Sequence, residues 1–129
     1  MLEKRVTGIG GFLFKSKNPK ELVAWYKKHF GLKTDQYGST FWWKDKEGTD
    51  CSTQLSTFVA VTNYFEPSEK QFMQIFKVND LKQLLKKLSN EGVTIIGNVQ
   101  SYEYGKFGWL LDVEGNKIEL WEPIDALFQ

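Results

Sequence analysis

A chain of 129 residues, 41% hydrophobic and 26% charged, can bury one real core but not two independent ones. Its 17 Lys and Arg against 16 Asp and Glu leave a formal charge of +1, which excludes a net field drawing it to nucleic acid, an anionic membrane or a cationic substrate. The one cysteine, Cys51, excludes an intrachain disulfide, and with no signal-like or membrane-length apolar run in the sequence a cytoplasmic protein is the expectation.

In chain order, Val6 to Lys15 reads as a strand. Asn18-Pro19-Lys20-Glu21 has the order of a helix start, with Asn as N-cap, Pro at the first helical position and Glu three residues after the cap. That helix ends near Gly31 and carries Leu22, Val23, Tyr26 and Phe30 on one side. Strand-like runs follow at Ser39 to Lys44 and Ser52 to Thr62, and 65–70 (Phe-Glu-Pro-Ser-Glu-Lys) reads as a linker. The pattern then repeats. Phe72 to Val78 is a strand, Asp80 with Gln83 is a capping pair, and Leu81, Leu84, Leu85 and Leu88 form a stripe ending before Gly92. Thr94 to Val99, Tyr104 to Asp112 and Lys117 to Glu122 are strands, the last two joined by a Gly115-Asn116 turn. The terminal glycines Gly31 and Gly92 lie 61 positions apart, about half the chain, as a tandem duplication requires. Module 1 therefore spans about 1–64 and module 2 about 71–129, sharing one core.

The segment Asn18-Pro19 through Ala24-Trp25-Tyr26 to Phe30-Gly31-Leu32 resembles the first-module helix of the vicinal-oxygen-chelate (glyoxalase/bleomycin resistance protein/dioxygenase) superfamily. The run from Asp112 to Pro123 resembles its closing hairpin, and Phe76 to Leu81 the entry to its second module. The resemblance implies an α+β fold of two tandem βαβββ modules, whose mixed sheet curls around a ligand-sized cleft, and a homodimer. It leaves the chemistry open, because the superfamily hosts isomerases, lyases, dioxygenases, transferases and drug-sequestering proteins.

Metalloenzyme members carry His, Gln or Glu on the first strand of each module and Glu on the final strand. Here Glu119 matches the last of these, whereas counting back from the helix motifs places Gly11 and Met73 at the other two, and neither is a hard-metal ligand. The fourth position used by glyoxalase I falls in Ser52 to Tyr64, which holds no His, Asp or Glu. No cofactor and no metal are expected on this ligand count.

Strand alternation puts Ile118 and Leu120 under the helices and Glu119 and Trp121 toward the cleft, with Trp109 near Glu119 across the hairpin. A carboxylate between two indoles loses hydration, which raises its pKa unless a cation or several donors compensate; Lys15 or Lys77 is the candidate cation. The aromatic share, 16% with five Trp, five Tyr and ten Phe, fits core packing residue by residue and an apolar pocket as a group. Trp109, Trp121, Trp42, Phe58, Met73 and Lys77 are the candidate ligand-binding residues, and Trp42 and Trp43 cannot both face inward. His29, at a helix end among lysines, and Cys51, without a basic neighbour, read as structural.

Two functions follow. One is metal-independent binding of a small apolar or aromatic molecule, with Glu119 as polar anchor; near-neutral charge disfavours bleomycin-type sequestration, because those proteins are acidic. The other is a glyoxalase-like lyase, isomerase or dioxygenase, with a noncanonical metal site or with Glu119 as catalytic general base.

Overall fold

A computed structural model describes residues 5–124. The chain forms β1 (Val6–Ser16), α1 (Pro19–Phe30), β2 (Gly38–Lys44), β3 (Asp50–Val59), β4 (Phe72–Val78), α2 (Leu81–Asn90), β5 (Ile95–Tyr102), β6 (Gly105–Leu111) and β7 (Lys117–Pro123). Both helices begin as the sequence predicts. The Asn18 side chain accepts from the Glu21 amide at 3.1 Å and the Asp80 side chain accepts from the Gln83 amide at 3.2 Å, each quenching an orphan donor of the first turn. Gly31 closes α1 at φ 67°, a left-handed conformation that suits a residue without a Cβ.

All seven strands join one mixed sheet in the order β2-β3-β1-β4-β7-β6-β5. Its centre is the antiparallel pair β1 and β4, flanked by parallel partners, β3 beside β1 and β7 beside β4. This is a duplication about the β1–β4 seam. The modules are unequal, since α2 is followed by three strands but α1 by two, with an isolated Thr34–Ser39 bridge where β5 would have its counterpart.

Two clusters form the core. Leu81, Leu84 and Leu85 of α2 pack with Val78, Leu110 and Leu120 on one sheet face. Leu13, Phe65, Met73, Ile75 and Trp121 form the second cluster on the other face, with Phe58, Tyr64, Phe107 and Trp109 against it. The 65–70 segment is therefore partly inside, since Phe65 has no exposed surface. Among the described residues no helix is long and apolar enough to cross a membrane.

Candidate functional site

The sheet curls enough that residues from both of its ends line one cleft of about 1230 Å³. Its deepest charged group is Glu119, which is 3% exposed. The antiparallel register of β6 and β7 sets Trp109 directly opposite Glu119, and the indole Nε1 donates to Glu119 Oε1 at 3.1 Å. The Tyr64 hydroxyl donates to the same oxygen. Trp109 Nε1 also lies 3.2 Å from the Tyr64 hydroxyl, so three groups close a compact network. Glu119 Oε2 has no hydrogen-bond partner among the described residues and is left for an occupant of the cleft.

Tyr64 reaches Glu119 because the chain after β3 folds back over the cleft. Phe65 anchors that segment in the core, and the Phe58 ring stacks on Tyr64 at 5.3 Å with an interplanar angle of 8°. Lys117 lies two residues before Glu119 on the same strand face. Its Nζ donates to the Tyr64 carbonyl oxygen at 2.7 Å and sits 5.3 Å above the Tyr64 ring and 5.8 Å above that of Trp109. The cation of the site is thus Lys117 rather than Lys15 or Lys77.

Burial is the largest influence on Glu119 and raises its carboxyl above the ordinary range; the bonds from Tyr64 and Trp109 and the charge of Lys117 act in the opposite direction. Burial likewise raises the Tyr64 phenol, reinforced by Glu119, and lowers the Lys117 ammonium. Above the unfolded carboxyl's value of 4.5, the unfolded chain has released a proton that the folded chain still holds. Stability therefore falls as pH rises through the window up to the folded value, and is flat beyond it. Denaturant titrations from about pH 4 to about pH 8 should show the wild type losing stability relative to Glu119→Gln across that window. Curves that stay parallel would contradict the raised carboxyl.

The other candidates divide. Trp121 and Phe58 line the cleft with Trp109. Trp121 is 1% exposed, stacked on Phe107 at 5.9 Å, and its Nε1 donates to the Tyr104 carbonyl oxygen at 3.3 Å. Trp42, Met73 and Lys77 do not line it, which corrects their expected placement. Trp42 sits on the edge strand β2, 42% exposed, and Trp43 does not line the cleft either. Met73 is core, because the β1–β4 register pairs it with Leu13 in the second cluster. Lys77 is buried beneath the site, its Nζ 5.1 Å from the Trp43 ring and 5.2 Å from that of Trp121.

Neither Gly11 nor Met73 is the direct cross-strand partner of Glu119. The parallel β4–β7 register pairs Glu119 with Ile75. The two N-caps, Asn18 and Asp80, are 62 positions apart, and the same offset carries Ile75 to Leu13, which pairs with Ser56 as Ile75 pairs with Glu119. The four positions around the seam are therefore Leu13, Ser56, Ile75 and Glu119. Two aliphatic side chains, a hydroxyl and a carboxylate whose Oε1 already accepts two donors do not fit a catalytic divalent metal. Among the described residues no three His, Cys, Asp or Glu side chains gather elsewhere to hold one. His29 packs its ring on Trp25 at 4.8 Å, and Cys51 donates to the Thr49 carbonyl oxygen.

Comparison with known proteins agrees with this architecture. No curated protein matches the chain by sequence. Among solved structures, methylmalonyl-CoA epimerase from Mycobacterium tuberculosis is similar with a TM-score of 0.66 at 17% identity, covering 99% of this chain and 96% of that one. Methylmalonyl-CoA epimerase from Streptomyces coelicolor, in complex with 2-nitronate-propionyl-CoA, gives 0.68 at 14% identity, covering 92% and 99%. A glyoxalase/bleomycin resistance protein/dioxygenase superfamily member from Vibrio splendidus 12B01 gives 0.56 at 11%, covering 86% and 95%. At these identities the likeness is one of fold. The family profile itself matches residues 8–120, and the chain belongs to the Glyoxalase/Bleomycin resistance protein/Dioxygenase superfamily.

Proposed function

We propose that this protein binds a small apolar or aromatic molecule in its cleft without a catalytic metal, using Trp109, Trp121 and Phe58 as walls and Glu119 as polar anchor. The observation that carries this reading is the state of Glu119: Oε1 is saturated by Tyr64 and Trp109, Oε2 has no partner, and the neighbouring strand positions Leu13, Ile75 and Ser56 offer no second carboxylate or imidazole. Cytoplasmic residence without a nucleic-acid or membrane partner is part of the same reading, resting on the lone cysteine and the near-neutral charge.

A ligand that reaches the buried Glu119 must touch at least one of the indoles that line the cleft, so Trp fluorescence reports binding. Screening with aromatic metabolites should give a saturable change that Trp109→Phe or Trp121→Phe diminishes. Glu119→Gln keeps the shape and removes the charge, and should cost about 1.5–3 kcal/mol of affinity. Elemental analysis of the same protein, purified without chelator, should find no stoichiometric Zn, Ni, Fe or Mn; one equivalent lost on Glu119→Ala would sink the metal-free reading. A ligand indifferent to all three substitutions would show that these aromatics are only core.

The second reading is a glyoxalase-like lyase, isomerase or dioxygenase; of its forms, the one with Glu119 as general base is favoured by one feature, a buried carboxyl with a raised pKa, which suits a group that takes a proton from a carbon beside a carbonyl. Solvent deuterium appearing in a bound carbonyl compound, and absent with Glu119→Gln, would select it over simple binding.

The assembly we propose is a homodimer, because the sheet ends in two open edges, β2 and β5, and α1 leaves Trp25 and Phe30 about half exposed or more. Light scattering at micromolar protein should give twice the 15.0 kDa chain mass; a monomer would remove the proposal.

A further inference from the structure

The duplication has given the cleft two chemically different ends. Around Glu119 it is aromatic, with Trp109, Phe107 and Trp121 as walls and Lys117 as the resident cation. At the dyad-related end Ser56 stands where Glu119 stands in module 2; the next residue on its strand face is Gln54, which is paired across the sheet with Thr40 of β2. Thr40 Oγ1 donates to Gln54 Oε1 at 2.8 Å, and Gln54 Nε2 donates to Ser52 Oγ at 3.4 Å, so this end is a row of neutral hydroxyl and amide groups. The Ser56 hydroxyl makes no hydrogen bond among the described residues although it lines the cleft.

Charge separates the ends further. Among the described residues Asp35 is, apart from Lys117 and Glu119, the one charged side chain that lines the cleft, and its Oδ1 accepts from the backbone amides of Tyr37 at 2.8 Å and Gly38 at 3.0 Å. An anion arriving at the module 1 end would find no countercharge there, and a cation only the exposed Asp35 carboxylate. Size also counts. A volume of about 1230 Å³ exceeds the roughly 300–1,000 Å³ of ordinary small-molecule pockets. Strands β3 and β7 are three strand spacings apart, roughly 14 Å along the sheet, so one ring cannot reach both ends.

Building on the proposed ligand-binding role, we infer that the occupant is a two-part molecule: an aromatic ring beside Glu119, carrying an uncharged polyhydroxyl group that lies on Thr40, Gln54 and Ser56. Hydroxyls both donate and accept, which matches a wall of Ser, Thr and Gln side chains, whereas a carboxylate tail would be stripped of water without a partner and an ammonium tail would meet only the exposed, water-screened Asp35 carboxylate.

Calorimetric titration of the full chain with four probes sharing one ring tests this. They are naphthol, naphthyl glucoside, naphthyloxyacetate and naphthyloxyethyl-trimethylammonium. The glucoside should bind roughly tenfold or more tightly than naphthol, and both ionic probes no better than naphthol. Ser56→Ala combined with Thr40→Val should bring the glucoside back to the affinity of naphthol while leaving naphthol itself unchanged, which also shows that the variant is folded. Equal binding of all four probes, or a preference for an ionic tail, overturns the two-part ligand and leaves the ring-binding role standing. Failure of every probe to bind overturns both.

Discussion

Leu13→His combined with Ile75→His should turn this cleft into a zinc site, whereas Gly11→His combined with Met73→His should abolish the fold. Leu13 and Ile75 are the cleft-lining residues of β1 and β4 beside the dyad, and Ile75 is paired directly with Glu119. Two imidazoles there would join the carboxylate in a His₂Glu set with room for water in the fourth position, a combination that zinc accepts. The cost is two buried apolar side chains exchanged for polar ones, about 1–3 kcal/mol each before metal binding offsets it. At Gly11 there is no such room. A Cβ would stand 2.4 Å from the Gln54 carbonyl oxygen, a backbone atom of the paired strand β3 that cannot move without opening the β1–β3 ladder. Calorimetry with zinc should give one site of micromolar or tighter affinity in the Leu13/Ile75 variant and none in wild type, with binding lost on Glu119→Ala. A folded, zinc-binding Gly11/Met73 variant would show that the register around the seam is wrong.

That contrast marks where the sequence stops being legible. Capping pairs, terminal glycines and helical stripes are local, and they locate both helices within a residue or two. The Asp112 to Lys117 turn fixes the β6–β7 register, which is why alternation alone places Trp109 opposite Glu119. The β4–β7 pairing is parallel and has no connecting hairpin, so nothing local says that Ile75 rather than Met73 stands beside Glu119. Lys77 does share its strand face with Ile75, but lies under the Trp121 ring, a layer deeper than alternation can show. The alternation that turns Glu119 toward the cleft turns Lys117, two residues away, the same way, so that cation is legible in the sequence. Tyr64 is not legible in this way: among several aromatics near the cleft, it becomes the donor to Glu119, 55 positions away, because the buried Phe65 pins the segment after β3.

The duplication also predicts an unequal division of stability between the two helices. With the 62-residue offset, Leu84 and Leu85 of α2 correspond to Leu22 and Val23 of α1. Leu84 and Leu85 are buried against Val78, Leu110 and Leu120, while α1 has no buried residue at all among those described. Removing a buried leucine loses both the transfer free energy of its methyl groups and the contacts around the cavity, so Leu84→Ala should cost about 2–5 kcal/mol. Leu22→Ala removes a side chain already in partial contact with water and should cost about 1 kcal/mol. Urea titration of the two variants at the same protein concentration measures the difference as a midpoint shift. Equal and large losses would have a specific meaning, since α1 would then be covered in solution by a second copy of the chain. The Leu22→Ala loss would in that case shrink as the protein is diluted, because stabilisation by association fades with dilution by mass action and stabilisation by folding does not.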